Sequence, residues 1–171
     1  MSVNSRRLLL GVIVWGGVSI GGHDARASDC TEAPGKGVDW ERCYFDRRDL
    51  AGKDLSGARL RDASFERADL DKVDLSGVTA VHVKFISTSM AGAKLDGGNF
   101  AEADFTKADL KGASLRDADL RRARFFKTNL AGADLTGAKM TGADMTNAEL
   151  SGARWIDGKR ICAPGSVGQC D

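Results

Sequence analysis

Proline, aromatic residues and net charge are all scarce in this sequence of 171 residues. It contains 2 prolines, 7 phenylalanines, 3 tryptophans and 1 tyrosine, and its 25 basic residues nearly balance 24 acidic ones. The 21 glycines are spaced and an apolar residue recurs at fixed intervals, which excludes a collagen-like or a disordered chain. The charge balance excludes a strong polyanion or polycation, and the length fits one domain.

Sequence motifs of common catalytic sites are missing as well. The chain has no G-x-S-x-G, no H-E-x-x-H and no phosphate-binding loop. His82 is the only histidine after the N-terminal segment, and acid–base catalysis needs a positioned partner. Asp117 and Asp119 follow the repeat described below and are interpreted as solvated residues. We therefore predict a protein that is not an enzyme and that uses no cofactor and no metal.

The first 27 residues differ in composition from the rest of the chain. Arg6 and Arg7 precede an apolar run over 8–20, and Ala25-Arg26-Ala27 has the A-x-A form of a cleavage site. The run is shorter than the roughly 20 apolar residues of a membrane span. We predict a signal peptide that is cleaved after Ala27, leaving no transmembrane anchor, and a periplasmic or secreted protein. The paired arginines also resemble a twin-arginine signal, so the export route stays open.

A bulky apolar residue recurs at every fifth position. The multiples of five from 45 to 155 make 23 units and carry Leu, Phe, Met or Trp, with Ala80 as the exception. A smaller residue lies two positions before most of them. In a helix, successive large residues would be rotated by roughly 140° and would scatter around the cylinder. In a strand they would point alternately to opposite faces. A fixed period of this length instead predicts a solenoid whose large and small residues both point inward.

The number of sides per coil can be inferred by grouping the large positions that lie twenty residues apart, which gives four classes. One class then collects five of the phenylalanines, which we predict to stack as a core ladder: Phe45, Phe65, Phe85, Phe105 and Phe125. Glycine at the second position after the large residue is concentrated in two other classes, at 52, 92, 112, 132 and 152 and at 57, 77, 97 and 137. We predict four five-residue sides per coil, just under six coils, and two kinds of corner that differ in backbone conformation.

The repeating units "ADLKG", "ADLTG", "ADMTN" and "ASFER" follow the pattern A-(D/N)-L-x-x. The chain thereby resembles the pentapeptide-repeat family, and the resemblance implies an all-β fold, a right-handed quadrilateral β-helix. The expected organisation is a signal peptide at 1–27, an N-terminal cap at 28–42, the β-helix at 43–157 and a C-terminal cap at 158–171. Arg48 and Lys53 depart from the pattern at small inward positions, and we expect their side chains to escape past the rim of the first coil.

Four cysteines bracket the ends of the repeat: Cys30, Cys43, Cys162 and Cys170. The two local pairings are favoured over the others, which would have to span the rod, and each would stabilise the fold by about 2–3 kcal/mol. Metal binding is the rival interpretation, but the spacings do not fit C-x-x-C pairs. Trp40 and Trp155 lie beside these loops and are expected to cover the exposed ends of the core.

One corner of the predicted rod carries a column of five side chains, four of them basic, here called the basic ladder: Arg47, Arg67, Ser87, Lys107 and Lys127. Arg121, Arg122 and Arg124 thicken it, and Phe126 is expected to be exposed beside it as an anchor. The ladder predicts an anionic partner, namely a surface polysaccharide, a lipid headgroup or an acidic protein. The alternative is a solvated corner neutralised by Asp46, Glu66 and Asp104.

The sequence thus predicts a non-catalytic, exported scaffold or binding rod with an unidentified partner. Flat sides rich in Ala-Gly pairs also allow a homodimer. The resemblance implies a second function, because well-known members of the family bind DNA gyrase by imitating duplex DNA. That imitation needs a strongly negative surface in the cytoplasm, whereas this chain is near neutral and carries an export signal; nucleic acid is not an expected partner. A secreted effector is a third alternative.

Overall fold

The computed structural model describes residues 29–171, so the predicted signal peptide lies outside the described residues. Within that range the backbone forms no helix, and its sheet pairing consists of single-residue bridges. Every parallel bridge joins residues 20 positions apart, from Asp39↔Arg59 at one end to Asp134↔Arg154 at the other. The chain is therefore a parallel solenoid with four five-residue sides per coil.

Each five-residue unit consists of a short extended side and a tight turn. At Phe65, the backbone N–H of Ala68 donates to the carbonyl oxygen of Phe65 at 3.1 Å and closes the turn. The N–H of Phe65 donates to the carbonyl of Lys84 in the next coil at 2.8 Å. Both the large residue and the small residue Ala63 are fully buried, because the unit turns each toward the axis of the rod.

All corners share one backbone conformation, so the prediction of two corner types is wrong. The second corner residue has a positive φ whether it is glycine or not, for example 65° at Gly52 and 57° at Arg67. The physical reason is that every corner of a regular coil must make the same reversal. At two corners most coils carry glycine, which adopts a positive φ without steric cost. At the other two corners most coils carry residues with side chains, which adopt the same φ with backbone strain.

The phenylalanines of one side form a continuous stack through the core. Ring centroids of Phe45, Phe65, Phe85, Phe105 and Phe125 follow one another at 5.4, 5.4, 5.2 and 5.0 Å. Trp40 ends the stack at the N-terminal side, with its ring 4.1 Å from that of Phe45. Stacked like residues give the solenoid a dry core along its length.

The two ends are closed by short disulfide-bonded segments. Cys30 is bonded to Cys43 and Cys162 to Cys170, the two local pairings. After Gly158 the chain turns back and pairs antiparallel with the last coil, at Glu149↔Val167 and Arg154↔Ile161. Trp155 is partly buried against the core beneath this tail. At the opposite end the side chains of Arg48 and Lys53 are exposed, as the rim position requires.

Candidate functional site

The basic ladder lies on one corner of the rod, held in register by hydrogen bonds between coils. The N–H of Arg47 donates to Glu66 O at 2.9 Å, that of Arg67 to Ile86 O at 3.0 Å, and that of Lys107 to Phe126 O at 2.9 Å. Successive side chains of the column therefore lie about 4.8 Å apart along the rod. Arg47, Arg67, Lys107 and Lys127 are all exposed.

The four cations of the ladder have no carboxylate within ion-pair distance among residues 29–171. Asp46, expected to neutralise them, instead accepts hydrogen bonds from the Ser64 hydroxyl and the N–H of Glu66. Asp104 accepts the N–H of Thr106 at 2.9 Å and pairs with Arg124 at 3.3 Å. Asp104 is thus paired with Arg124, whereas Asp46 and Glu66 lie near Arg47 and Arg67 without an ion pair to either. Their negative charge still acts on the lower half of the ladder.

The three arginines expected to thicken the ladder behave differently from it. Arg121 pairs with Asp119 at 2.6 Å, Arg122 with Glu102 at 3.5 Å, and Arg124 with Asp104 at 3.3 Å. Their charges are balanced within the rod. We grouped these three arginines with the basic ladder from the sequence. In the structure they form ion pairs, and the cations of the basic ladder do not.

His82 has two positioned partners, contrary to its interpretation as an isolated residue. Its Nδ1 lies 3.2 Å from Asp62 Oδ1 and its Nε2 lies 3.2 Å from Glu102 Oε2. With Arg122 these residues form a second corner column, here called the paired column. Its members are 20 residues apart, so the same sorting that found the phenylalanine ladder could have found it. Side chains at this corner stabilise one another across coils.

Phe126 is half-buried rather than exposed, which corrects its expected role as a free anchor. The Lys127 ammonium lies 5.3 Å from the centroid of its ring. The more exposed aromatic residue is Tyr44, at 76% of its surface, on the phenylalanine side just before the first corner of the ladder. Sequence analysis missed it, although position 44 belongs to the outward-facing class of every unit.

The aspartates of the repeat accept hydrogen bonds from backbone N–H groups at the corners. Asp119 accepts the N–H of Arg121 at 3.3 Å, and Asp54 accepts the N–H of Ser56 at 3.1 Å. The Arg121 side chain lowers the pKa of Asp119, and the Ser56 hydroxyl and N–H lower the pKa of Asp54. Asp119 is therefore ion-paired and mostly covered instead of solvated, whereas Asp117 is exposed as expected. These carboxylates are fixed acceptors and remain ionised at neutral pH.

Within residues 29–171, no cluster of three or more His, Cys, Asp or Glu side chains is arranged to hold a metal ion. In the same part of the chain, no helix has the length and apolar character needed to span a membrane. The candidate site is the basic ladder, a column of exposed side chains.

Comparison with known proteins identifies the repeat. The pentapeptide-repeat family matches in 8 copies over residues 41–77, 84–122 and 118–154. A search of curated proteins found no match. HetL, a pentapeptide repeat protein involved in heterocyst differentiation regulation from the cyanobacterium Nostoc sp. strain PCC 7120, is 30% identical with a TM-score of 0.52; the alignment covers 74% of this chain and 64% of HetL.

A second solved structure shows a likeness of fold alone. Rfr23, a pentapeptide repeat protein from the cyanobacterium Cyanothece 51142, has 22% identity and a TM-score of 0.50, with 70% of this chain and 89% of Rfr23 covered. The present chain spans less than two thirds of the length of HetL. The sustained repeat, the four-sided coil and these matches together show that this chain belongs to the pentapeptide-repeat family and has its right-handed quadrilateral β-helix.

Proposed function

We propose that this protein is a non-catalytic, exported binding rod that docks an anionic component of the cell envelope along the basic ladder. The observation that supports the proposal is a column of exposed, unpaired cations, Arg47, Arg67, Lys107 and Lys127, on corners of positive φ. A stable rod does not need such a column, as the neighbouring corners show.

The ladder carries two energetic costs that the other corners avoid. A non-glycine residue in the left-handed region costs roughly 1–2 kcal/mol. The next corner avoids that cost in all coils but the one with Lys72, because it carries Gly52, Gly92, Gly112 and Gly132. Like charges about 4.8 Å apart repel by about 1 kcal/mol in water. In the paired column the side chains recover such costs through mutual contacts. On the ladder no ion pair within residues 29–171 does so, and only Lys127 has a partner, the ring of Phe126. This favours an external anion as the compensating partner.

Export is supported by the disulfides. Two disulfides within 29–171 suit an oxidising compartment outside the cytoplasm. The signal peptide predicted over 1–27 would deliver the chain there. A cytoplasmic DNA mimic would require an acidic surface in place of this ladder, so the gyrase interpretation receives no support from the charge distribution. A secreted effector would share the export route and differ only in its target.

Binding to a soluble polyuronate tests the proposal. Arg67, Lys107 and Lys127 are changed together to Glu, and a matched variant carries the same charge change at Lys72, Lys111 and Lys139 on other faces. We expect the ladder variant to lose binding and the matched variant to keep most of it. Equal affinity in all three proteins would overturn the proposal. Inhibition of gyrase supercoiling by the purified protein would favour DNA mimicry instead.

A further inference from the structure

We infer that the anionic partner of the basic ladder is a bilayer surface rich in anionic lipid, with Tyr44 and Phe126 lying at the level of the headgroups. This inference rests on the proposed function and adds the class of partner. It follows from the shape of the ladder, from the aromatic residues beside it and from the placement of charge.

The shape of the ladder favours a flat partner. Its cations lie on a convex corner of the rod, held by the hydrogen bonds of the corner backbone. Arg47 and Arg67 lie in adjacent coils, as do Lys107 and Lys127, and Ser87 separates the two pairs. Sites for small ligands are concave and enclose most of the ligand. A convex ridge is contacted along its whole length only by a surface that is flat or deformable, and a lipid bilayer is both. Mobile anionic lipids can also gather beneath fixed cations.

Aromatic residues flank the cations toward the two ends of the ladder. Tyr44 precedes Arg47 on the first coil and is 76% exposed, the most exposed large hydrophobic side chain within residues 29–171. A ring with a polar tip suits the interface between water and hydrocarbon. Phe126 lies next to Lys127, with the ammonium 5.3 Å from its ring. Cations between aromatic rings along one edge are typical of interfacial surfaces.

Carboxylates near the ladder weaken its attraction for anionic lipid more in the lower half than in the upper half. Asp46 keeps its negative charge near Arg47, because the Ser64 hydroxyl and the N–H of Glu66 that it accepts are neutral donors, whereas Asp104 is paired with Arg124. Glu66 remains as an acidic neighbour of Arg67. The upper half of the ladder, at Lys107 and Lys127, has Thr106 and Phe126 as corner neighbours instead of acids. We therefore expect the upper half to dominate binding to the membrane.

Vesicle cosedimentation of the full chain tests the inference. Vesicles of equal parts phosphatidylglycerol and phosphatidylcholine are compared with pure phosphatidylcholine. The variants are the ladder triple at Arg67, Lys107 and Lys127 and the matched triple at Lys72, Lys111 and Lys139. Residues 1–28 are the same in each protein, so differences report the changed sites. We expect the ladder triple to weaken binding about a hundredfold, at about fivefold per cation, and the matched triple far less.

A second variant, with Tyr44→Ala and Phe126→Ala, leaves the charge unchanged. We expect it to weaken vesicle binding several-fold at high salt, where electrostatic attraction is screened. Equal losses in the two triples, or no loss in the aromatic variant, would overturn the inference. Absent vesicle binding together with ladder-dependent polyuronate binding would overturn it while leaving the proposed function standing. Loss of both would remove the proposed function itself.

Discussion

Gly98 leaves the space that the ring of Phe100 occupies: a Cβ atom added at Gly98 would lie 2.4 Å from Cε2 of that ring. Phe100 stands 20 residues after Ala80, the exception among the large inward positions. Its ring reaches into the phenylalanine stack, with centroids 6.3 Å from Phe85 and 5.9 Å from Phe105. The absence of a side chain at Gly98 therefore makes room for the large ring two positions later in the same unit.

Gly98→Ala is expected to destabilise the fold by about 1–3 kcal/mol, because the added methyl group overlaps a buried ring that has no free rotamer space. The φ of Gly98 is not in the left-handed region, so the effect is steric. Chemical denaturation of the variant and of the double variant with Phe100→Leu measures it. We expect the second change to recover part of the loss; purely additive effects would contradict the assigned overlap.

Gly112→Ala isolates the cost of the corner backbone. Gly112 has a φ of 65°, and no neighbouring atom lies within 4 Å of an added Cβ. We expect a loss of about 1 kcal/mol from backbone strain alone. The reverse change, Lys107→Gly at a φ of 60°, should stabilise the fold by about 0.5 kcal/mol while weakening polyanion binding. Thermal unfolding measures both, and a destabilised Lys107→Gly would show that strain at this corner is negligible.

Asp109→Ala removes a corner cap. Asp109 Oδ1 accepts the N–H of Lys111 at 3.1 Å and the side-chain amide of Asn129 at 2.9 Å. Because that N–H then loses its acceptor, we expect a loss of about 1 kcal/mol in the free energy of unfolding. Asp109→Asn keeps an oxygen at the same place and serves as the matched control. Equal losses in the two variants would show that the charge, and not the cap, is what matters.

Acid should destabilise the rod through its capping carboxylates. The pKa values of Asp54, Asp119 and Asp144 lie below the ordinary value of 3.8, in Asp144 because of hydrogen bonds from Thr146. A lowered pKa in the folded state gives stability that is present above 3.8 and is lost as pH falls through the folded values. Melting temperature should therefore be nearly constant from pH 7 to pH 5 and fall below about pH 4. A melting temperature that rises in that acidic range would exclude this explanation.

Much of the architecture could be predicted because it depends on local order along the chain. The five-residue period, the recurrence of phenylalanine at intervals of twenty and the short cysteine spacings can all be counted along the sequence. Contacts between coils were harder to predict. Ser64 stands where the repeat has an aspartate, and the cap is supplied by Asp46 from the coil below. Ser89 and Asp71 repeat this exchange.

The candidate site was predicted only in outline. The basic ladder was visible in the sequence, but its separation from Arg121, Arg122 and Arg124 was not, since ion pairing depends on side-chain reach across the coil spacing. The half-burial of Phe126 depends in the same way on the neighbours above and below it. Long side chains at a corner have several rotamers, and the sequence does not choose among them.

The period, the number of sides and the inward residues follow from the order of amino acids alone, because a repeat without insertions admits one regular way to bury its large side chains. The corner columns can be listed in the same way, but which of their side chains form ion pairs depends on the folded chain. His82 finds Asp62 and Glu102 because closing a coil places residues 20 apart in contact. The same closure stacks Arg67 on Arg47 without an ion pair to either within residues 29–171, and the proposed function rests on these unpaired cations.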